Sequence, residues 1–399
     1  MTSDFGQEFL AAAHGMAAEL VSIRRTIHQN PELRYQEFET AALVKRHLTE
    51  MGIESKSVAG TGVVGLIEGS QPGKTVLLRA DMDALPLDEE NDLPFKSCNA
   101  GVMHACGHDG HTAMLLGAAR LLHDRKAALK GNVKLMFQPA EEAGGRGGAL
   151  PMIEEGLLDS PAVDAAFALH CGGLYKTGQV SLRPGPMMAA SDRFKVTVIG
   201  QGGHGGMPHN AVDSIVIAAH ILLGLQTVVS RELPPFEAGV LTVGSIQSGD
   251  ALSVSVSERT ELYGTARSYI PAVREQLERR VRQVSEGVAA AFRASVEVEW
   301  TPGYPSLSND ASATALVESV AKNVLGSDSL MPMPLQLGAE DFSQVLNKVP
   351  GAYFFLGVSH PSWPKPKPIH SNEFMLDEDA LPLGTAMLAS VAMRYLDAP

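Results

Sequence analysis

The sequence predicts an α/β protein: a discontinuous large domain with a mostly parallel sheet, interrupted by a small inserted domain of ferredoxin-like β-α-β-β-α-β order. Three observations predict it. Apolar strands alternate with helical patterns up to Met187. A complete β-α-β-β-α-β series follows. The first pattern then resumes beyond Thr301-Pro302-Gly303, which reads as a linker. The expected boundaries are 1–187 with 302–399 for the large domain and 188–301 for the insertion.

The elements follow in order. Phe9, Leu10, Met16, Leu20, Ile23 and Ile27 recur near a helical period, and Asn30-Pro31 ends that helix. A second amphipathic helix runs from about Glu37 to Glu50 and stops at Gly52. Thr75–Arg79 is a short apolar strand ending at Asp81-Met82-Asp83. Asp109 reads as the N-cap of a helix through Thr112–Leu122. Strand Val133–Phe137 runs into Gln138-Pro139-Ala140-Glu141-Glu142, and strand Ala165–Leu169 ends at His170. Inside the insertion we read strand Arg193–Ile199, helix Ala211–Ser230, strands Val240–Ile246 and Arg259–Ala266, helix Ala272–Phe292 and strand Ser295–Trp300. The large domain resumes with helix Ala311–Leu325, strand Ala352–Val358, a proline-rich loop from Pro361 to Pro368 and a last helix from near Asp377.

Composition excludes several classes. The hydrophobic share of 45% is ordinary for a folded protein and argues against disorder. A formal net charge of -13 disfavours nucleic acid as a partner. Three cysteines (Cys98, Cys106 and Cys171) make no disulfide framework and point to a reducing, cytoplasmic setting. The N-terminus carries Asp4 and Glu8 and no basic region, so it does not read as a signal peptide. The apolar stretch from Ile215 to Val229 is broken by His220, Gly224 and Gln226, so no membrane span is expected.

The densest chemical signal is His104-Ala105-Cys106-Gly107-His108-Asp109-Gly110-His111. Imidazoles and thiols are the preferred donors for zinc and related ions. The plain alternative, a capping loop with incidental histidines, is weaker for a cluster than for a lone residue. Glu141-Glu142 is a second signal. One carboxylate can bind metal while its neighbour takes a proton from an acidified water. Taken alone, such a pair is an ordinary solvated surface. His170 and His370 are weak singly. Together with Asp81, Asp83, Cys106 and His108, most of these residues follow strands, and open α/β sheets place sites at strand carboxyl ends. Gly200-Gln201-Gly202-Gly203-His204-Gly205 fits a dinucleotide motif by spacing. No acid follows until Glu232, and Pro208 interrupts the turn, so that reading fails. No phosphate-binding loop or G-x-S-x-G elbow occurs.

These strings resemble a known family, the dinuclear metallopeptidases that include aminoacylases, hippurate hydrolases, auxin-conjugate (IAA-amino acid) hydrolases and carboxypeptidase G. The hippurate and auxin-conjugate branch is the most similar. The resemblance rests on Arg79–Pro86 (RADMDALP), Gly101–Ala119, Gln138–Glu142 (QPAEE), Gly202–His209 (GGHGGMPH), Leu225–Glu232, Gly264–Arg267 (GTAR), Gly338–Phe342 (GAEDF) and His370. It implies a metal-dependent amidohydrolase acting on N-acyl amino acids or similar small amides, with two divalent ions (Zn, Mn, Co or Ni) per subunit. It implies Cys106, His108, Glu142, His170 and His370 as ligands, Cys106 bridging. Glu141 would be the base, and Asp83 would orient a ligand. The inserted domain would be a lid through which a homodimer forms. From it His204 would stabilise the reacting carbonyl, while Arg267, His209 and Ser253 would bind substrate. Asp81 stands where other branches carry a metal-binding histidine. Ser253 stands where this branch carries asparagine, which puts the substrate in question and leaves the reaction type intact. Two other readings remain open. One is hydrolysis of a different C–N bond, by a deaminase or an N-acetyl-diaminopimelate-type deacetylase. The other is a non-catalytic binding relative.

Overall fold

The computed structural model describes residues 5–249 and 254–398, so Ser253 lies outside the described residues. They form two compact units. The first holds residues up to Met187, Ser308–Pro334 and the chain from Asp341. The second holds Met188–Leu307 and Leu335–Glu340.

The first unit opens with α1 (Phe5–Gly15), α2 (Ala17–Gln29) and α3 (Phe38–Glu50). The apolar period from Phe9 to Ile27 reads as one helix, but the chain breaks at Met16 after Gly15, a residue that weakens helix continuity. Strands β1 (Glu54–Val58), β2 (Gly62–Glu68) and β3 (Gln71–Asp81) follow. Next come α4 (His108–His123), β4 (Lys130–Gln138), α5 (Ala149–Glu154), β5 (Ala165–Lys176) and β6 (Val180–Ser181). β7 (Gly185–Met188) leads out of the unit.

The second unit contains β8 (Ala190–Ile199), β9 (Gly203–His204), α6 (Ser214–Thr227), β10 (Gly239–Ser248), β11 (Ser255–Val256), β12 (Arg259–Ser268), α7 (Pro271–Ala291) and β13 (Ser295–Thr301). Four strands pair antiparallel in the order β10-β12-β8-β13, and β9 pairs with β11. Asp213 caps α6 by accepting from the amides of Ile215 and Val216. Ile217, Ile221 and Leu225 of α6 and Val273, Leu277 and Val281 of α7 fill the core over Val196, Val198 and Leu262. The helical stretch Ser214–Glu232, which ends in a π turn, is long and apolar enough to cross a membrane by length and composition, against the sequence expectation. Its buried face belongs to this core.

This unit runs past the Thr301 boundary to Leu307 and takes in Leu335–Glu340. Backbone pairing is the reason. Ser191 N donates to Tyr304 O, Gly303 N to Asp192 Oδ1, and Ala189 N to both Gln336 O and Gly338 O. Arg274 fixes the same corner with two bonds to Asp192 (2.8 and 2.5 Å).

The chain returns through β14 (Leu307–Asn309), α8 (Ala311–Leu325), β15 (Leu330–Met331), the short α9 (Ser343–Leu346), β16 (Gly351–Ser359) and α10 (Ala380–Asp397). The large sheet has the order β1-β2-β4-β3-β5-β16-β6-β15. Its centre, β4-β3-β5-β16, is parallel, while β1 and β2 run antiparallel at one edge. Helices α4 and α10 are buried on nearly every side, which fits their apolar residues all round. The parallel centre brings the ends of β3 and β4 and the middle of β5 beside one another. β5 does not stop at His170 but continues to Lys176.

Candidate metal centre

Cys106 and His108 flank Gly107, the residue that opens α4 with φ +88°. A Cβ at Gly107 would lie 2.9 Å from Cys171 Cβ, so the turn needs both the backbone freedom and the missing side chain of glycine. Asp109 does not cap α4. It sits inside the first turn, fully buried, and accepts from Arg24 Nε at 2.6 Å, with His28 Nδ1 at 2.8 Å. A buried guanidinium needs a paired carboxylate, and that need outweighs the capping preference. Burial pushes the Asp109 carboxyl up, but Arg24 and His28 hold it far below the usual range.

Cys106 Sγ stands 3.3 Å from His170 Nε2 and 3.2 Å from His370 Nε2. Glu142 Oε1 lies 3.0 Å from His370 Nε2. Two donor groups therefore share the thiol: Cys106, His108 and His170, and Cys106, Glu142 and His370. A third joins His108, Glu141 and Glu142. His108 Nδ1 faces the carbonyl of Asp83 at 2.8 Å, and His170 Nδ1 faces that of Cys171 at 3.0 Å. A carbonyl only accepts, so each neutral ring carries its proton on Nδ1 and presents the Nε2 lone pair inward. His108 Nε2 is buried without a hydrogen-bond partner among the described residues. Carbonyl contacts of this kind orient metal-binding imidazoles.

The electrostatics call for a cation. Burial lowers the pKa of His108, yet Asp81, Asp83 and Glu142 outweigh it and raise it to about 10. Burial pushes the Cys106 thiol well above its usual value, and Glu142 and Glu141 push it further. His170 moves the other way: burial and His111 hold it well below its usual value, so it stays neutral. A thiol, imidazoles and carboxylates around one point suit a borderline divalent ion, whose charge would replace the protons on sulfur and on His108.

Asp81 is committed elsewhere. Its Oδ2 is paired with Arg79 Nη1 at 2.7 Å, and its Oδ1 with His111 Nδ1 at 2.5 Å. His111 Nε2 accepts from Cys171 N at 2.8 Å, so both ring nitrogens of His111 are occupied. The cluster Asp81, His108 and His111 is thus an internal brace. Asp83 holds the turn after β4: Oδ1 accepts from Glu141 N at 3.0 Å and Oδ2 from Glu142 N at 2.9 Å. His370 is delivered by a loop, with φ +60° and its amide bonded to Ala105 O at 2.7 Å. Left-handed non-glycine residues are strained and concentrate at functional sites.

The structure brings together Asp83, Cys106, His108, Glu141, Glu142, His170 and His370. His204, His209 and Arg267 belong to the second unit. His204 is exposed and its Nδ1 accepts from Gly206 N at 2.9 Å, which leaves Nε2 as a donor. His209 is exposed in a short turn, Pro208–Asn210. Arg267 on β12 donates to Thr265 Oγ1 and Ala266 O. Asp341 lies in the Gly338–Phe342 string, but sequence reasoning gave it no role. It accepts from Gln138 Nε2 at 2.6 Å and from the amides of Gly148 and Ala149 at 2.9 Å, pinning both ends of the excursion that carries Glu141 and Glu142.

A model of peptidase family M20/M25/M40 matches residues 77–394. The chain belongs to this family. It is similar to thermostable carboxypeptidase 2 of Saccharolobus solfataricus, at 42% identity over 94% of this chain and 95% of that one. It is equally similar, at 42% identity over 95% of this chain and 88% of the other, to the N-acetyl-L-cysteine deacetylase of Bacillus subtilis. Among solved structures it resembles a dinuclear metal-binding M20 peptidase from Bacillus subtilis, with TM-score 0.84 and 33% identity over 97% of this chain and 99% of that one. This M20 member is therefore a hydrolytic enzyme, and the resemblance drawn from its motifs holds.

Proposed function

We propose that this M20 enzyme hydrolyses the amide bond of N-acyl amino acids or similar small conjugates, with two divalent ions held by Cys106, His108, Glu142, His170 and His370. The observation that carries this reading is the pair of donor groups that share Cys106, with Glu141 beside them. Zn, Mn, Co and Ni all suit a mixed sulfur, nitrogen and oxygen set. Bound ions would supply Lewis acidity at the scissile carbonyl and lower the pKa of a nearby water. Glu141 takes the water's proton and returns it to the leaving nitrogen, so one carboxylate serves as base and then acid. Asp83 keeps Glu141 and Glu142 aimed through their backbone amides. His204 donates from Nε2 to the carbonyl oxygen as negative charge develops. Arg267 clamps a substrate carboxylate, and His209 and Ser253 also serve to bind substrate.

The decisive experiment is metal removal. Chelation should abolish release of primary amine from N-acyl amino acids, and one added divalent metal should restore it. Full turnover in the metal-free protein would overturn the reading, and ammonia release without a larger amine would replace it with deamination.

The second unit serves in this reading as a ferredoxin-like lid that also joins two subunits of a cytoplasmic homodimer. Its strand order and antiparallel pairing support the first part. The exposed apolar side chains Ile215, Val216 and Leu223 on α6 and Ile246 on edge strand β10 support the second. With His204 acting across that interface, Leu223→Lys should yield monomers that keep their metals and lose most turnover. Sedimentation and kinetics check this together: a wild-type monomer, or fully active variant monomers, would remove the interface role.

A further inference from the structure

We infer that Glu37 is a positioning residue for the catalytic turn: its buried carboxylate holds Ala140 in the conformation that aims Glu141 and Glu142. The inference rests on the proposed roles of those two acids and goes beyond them.

Glu37 stands at the N-cap position of α3, where an acidic side chain would ordinarily bond its own helix. It makes no such bond. Glu32 does that work, accepting from Glu39 N at 3.0 Å and from Thr40 N at 2.9 Å. The Glu37 side chain is fully buried and turns away from its helix. Oε1 accepts from Ala140 N at 2.9 Å and from Tyr35 N at 2.9 Å, and Oε2 accepts from the Thr61 hydroxyl.

Ala140 is the residue before Glu141. It is buried and left-handed, with φ +53° and ψ 39°. Alanine adopts that region only where its surroundings enforce it. Three consecutive amides, those of Ala140, Glu141 and Glu142, donate to buried carboxylates: the first to Glu37, the other two to Asp83. The turn is therefore gripped from two directions, by the end of β3 and by the entry to α3. Without Glu37 the amide of Ala140 is buried without an acceptor, and the strained residue relaxes. The peptide planes ahead of Glu141 and Glu142 then rotate, moving the base and a ligand together.

The test compares Glu37→Ala, Glu37→Gln and Glu37→Asp with wild type in melting temperature, Mn²⁺ affinity of the metal-stripped protein, and kcat and KM. Glu37→Gln keeps an oxygen for the Ala140 amide and should behave like wild type. Folded Glu37→Ala should lose about 10- to 100-fold in Mn²⁺ affinity at one of two sites and similarly in kcat, with KM nearly unchanged. Glu37→Asp, one methylene short of Ala140, should follow the alanine variant and decides the matter if alanine does not fold. Lowered melting with wild-type metal affinity and kcat would overturn the positioning role and leave a structural one. A wild-type protein that binds Mn²⁺ but cuts no amide would remove the hydrolytic reading, whereas unchanged metal affinity in the variants removes Glu37 alone.

Discussion

Glu141→Gln should lower kcat by about 10²- to 10⁴-fold, the range a positioned general base contributes. The amide is close to the carboxylate in shape and cannot take the proton of the attacking water. Its backbone bond to Asp83 Oδ1 does not depend on the side chain, so the turn stays in register. The donor groups centred on Cys106 do not include Glu141, so both should still bind metal. The result to look for is thus a split: metal content as in wild type, melting nearly unchanged, turnover almost gone. Metal titration beside steady-state kinetics reads both. If turnover falls only together with metal content, Glu141 is a ligand and not the base. If turnover is retained, another group moves the proton.

Much of this site was legible in the sequence, for a physical reason. A parallel sheet ends its strands on one edge, so side chains that follow Ala80 on β3 and Phe137 on β4 converge without long-range information. Cys106 and His108 needed only the spacing around one glycine. Apart from Asp83, the supports had no legible role. Glu37, Arg79 and Asp341 are charged residues that any polarity rule sends to the surface, yet each is buried. Their partners lie far along the chain: Glu37 meets Ala140, and Asp341 meets Gln138. Asp109 shows the same failure in reverse. Its place before an apolar run marks a cap, while the buried Arg24 that claims it comes from α2. Strand β1, Glu-Ser-Lys-Ser-Val, was missed because its residues are mostly exposed and polar. The division of α1 from α2 turns on a single residue, Met16, inside a period that runs on across it.

Removing the shared thiol should have the broadest effect. Cys106 alone belongs to both the His170 group and the group of Glu142 and His370, so Cys106→Ala should weaken both ions at once. Turnover should fall to background, and added metal should no longer raise the melting temperature, since that gain requires binding to the folded state. His170→Ala removes a donor from one group only, and should keep a measurable rise with metal. The contrast separates a bridging ligand from a terminal one. The same thiol sets a pH dependence. Burial, Glu142 and Glu141 hold its pKa far above the usual value, so it is protonated in the metal-free protein at neutral pH. The ion must displace that proton, and the thiol alone contributes about a tenfold drop in affinity for each unit the pH falls and one released proton, beside the proton that His108, with its pKa raised to about 10, also gives up. Buffers of different ionisation enthalpy in calorimetry count those protons directly. In Cys106→Ala the thiol's share of the released protons should vanish along with the affinity. If alanine binds both ions as wild type does and still releases as many protons, the bridge is some other residue.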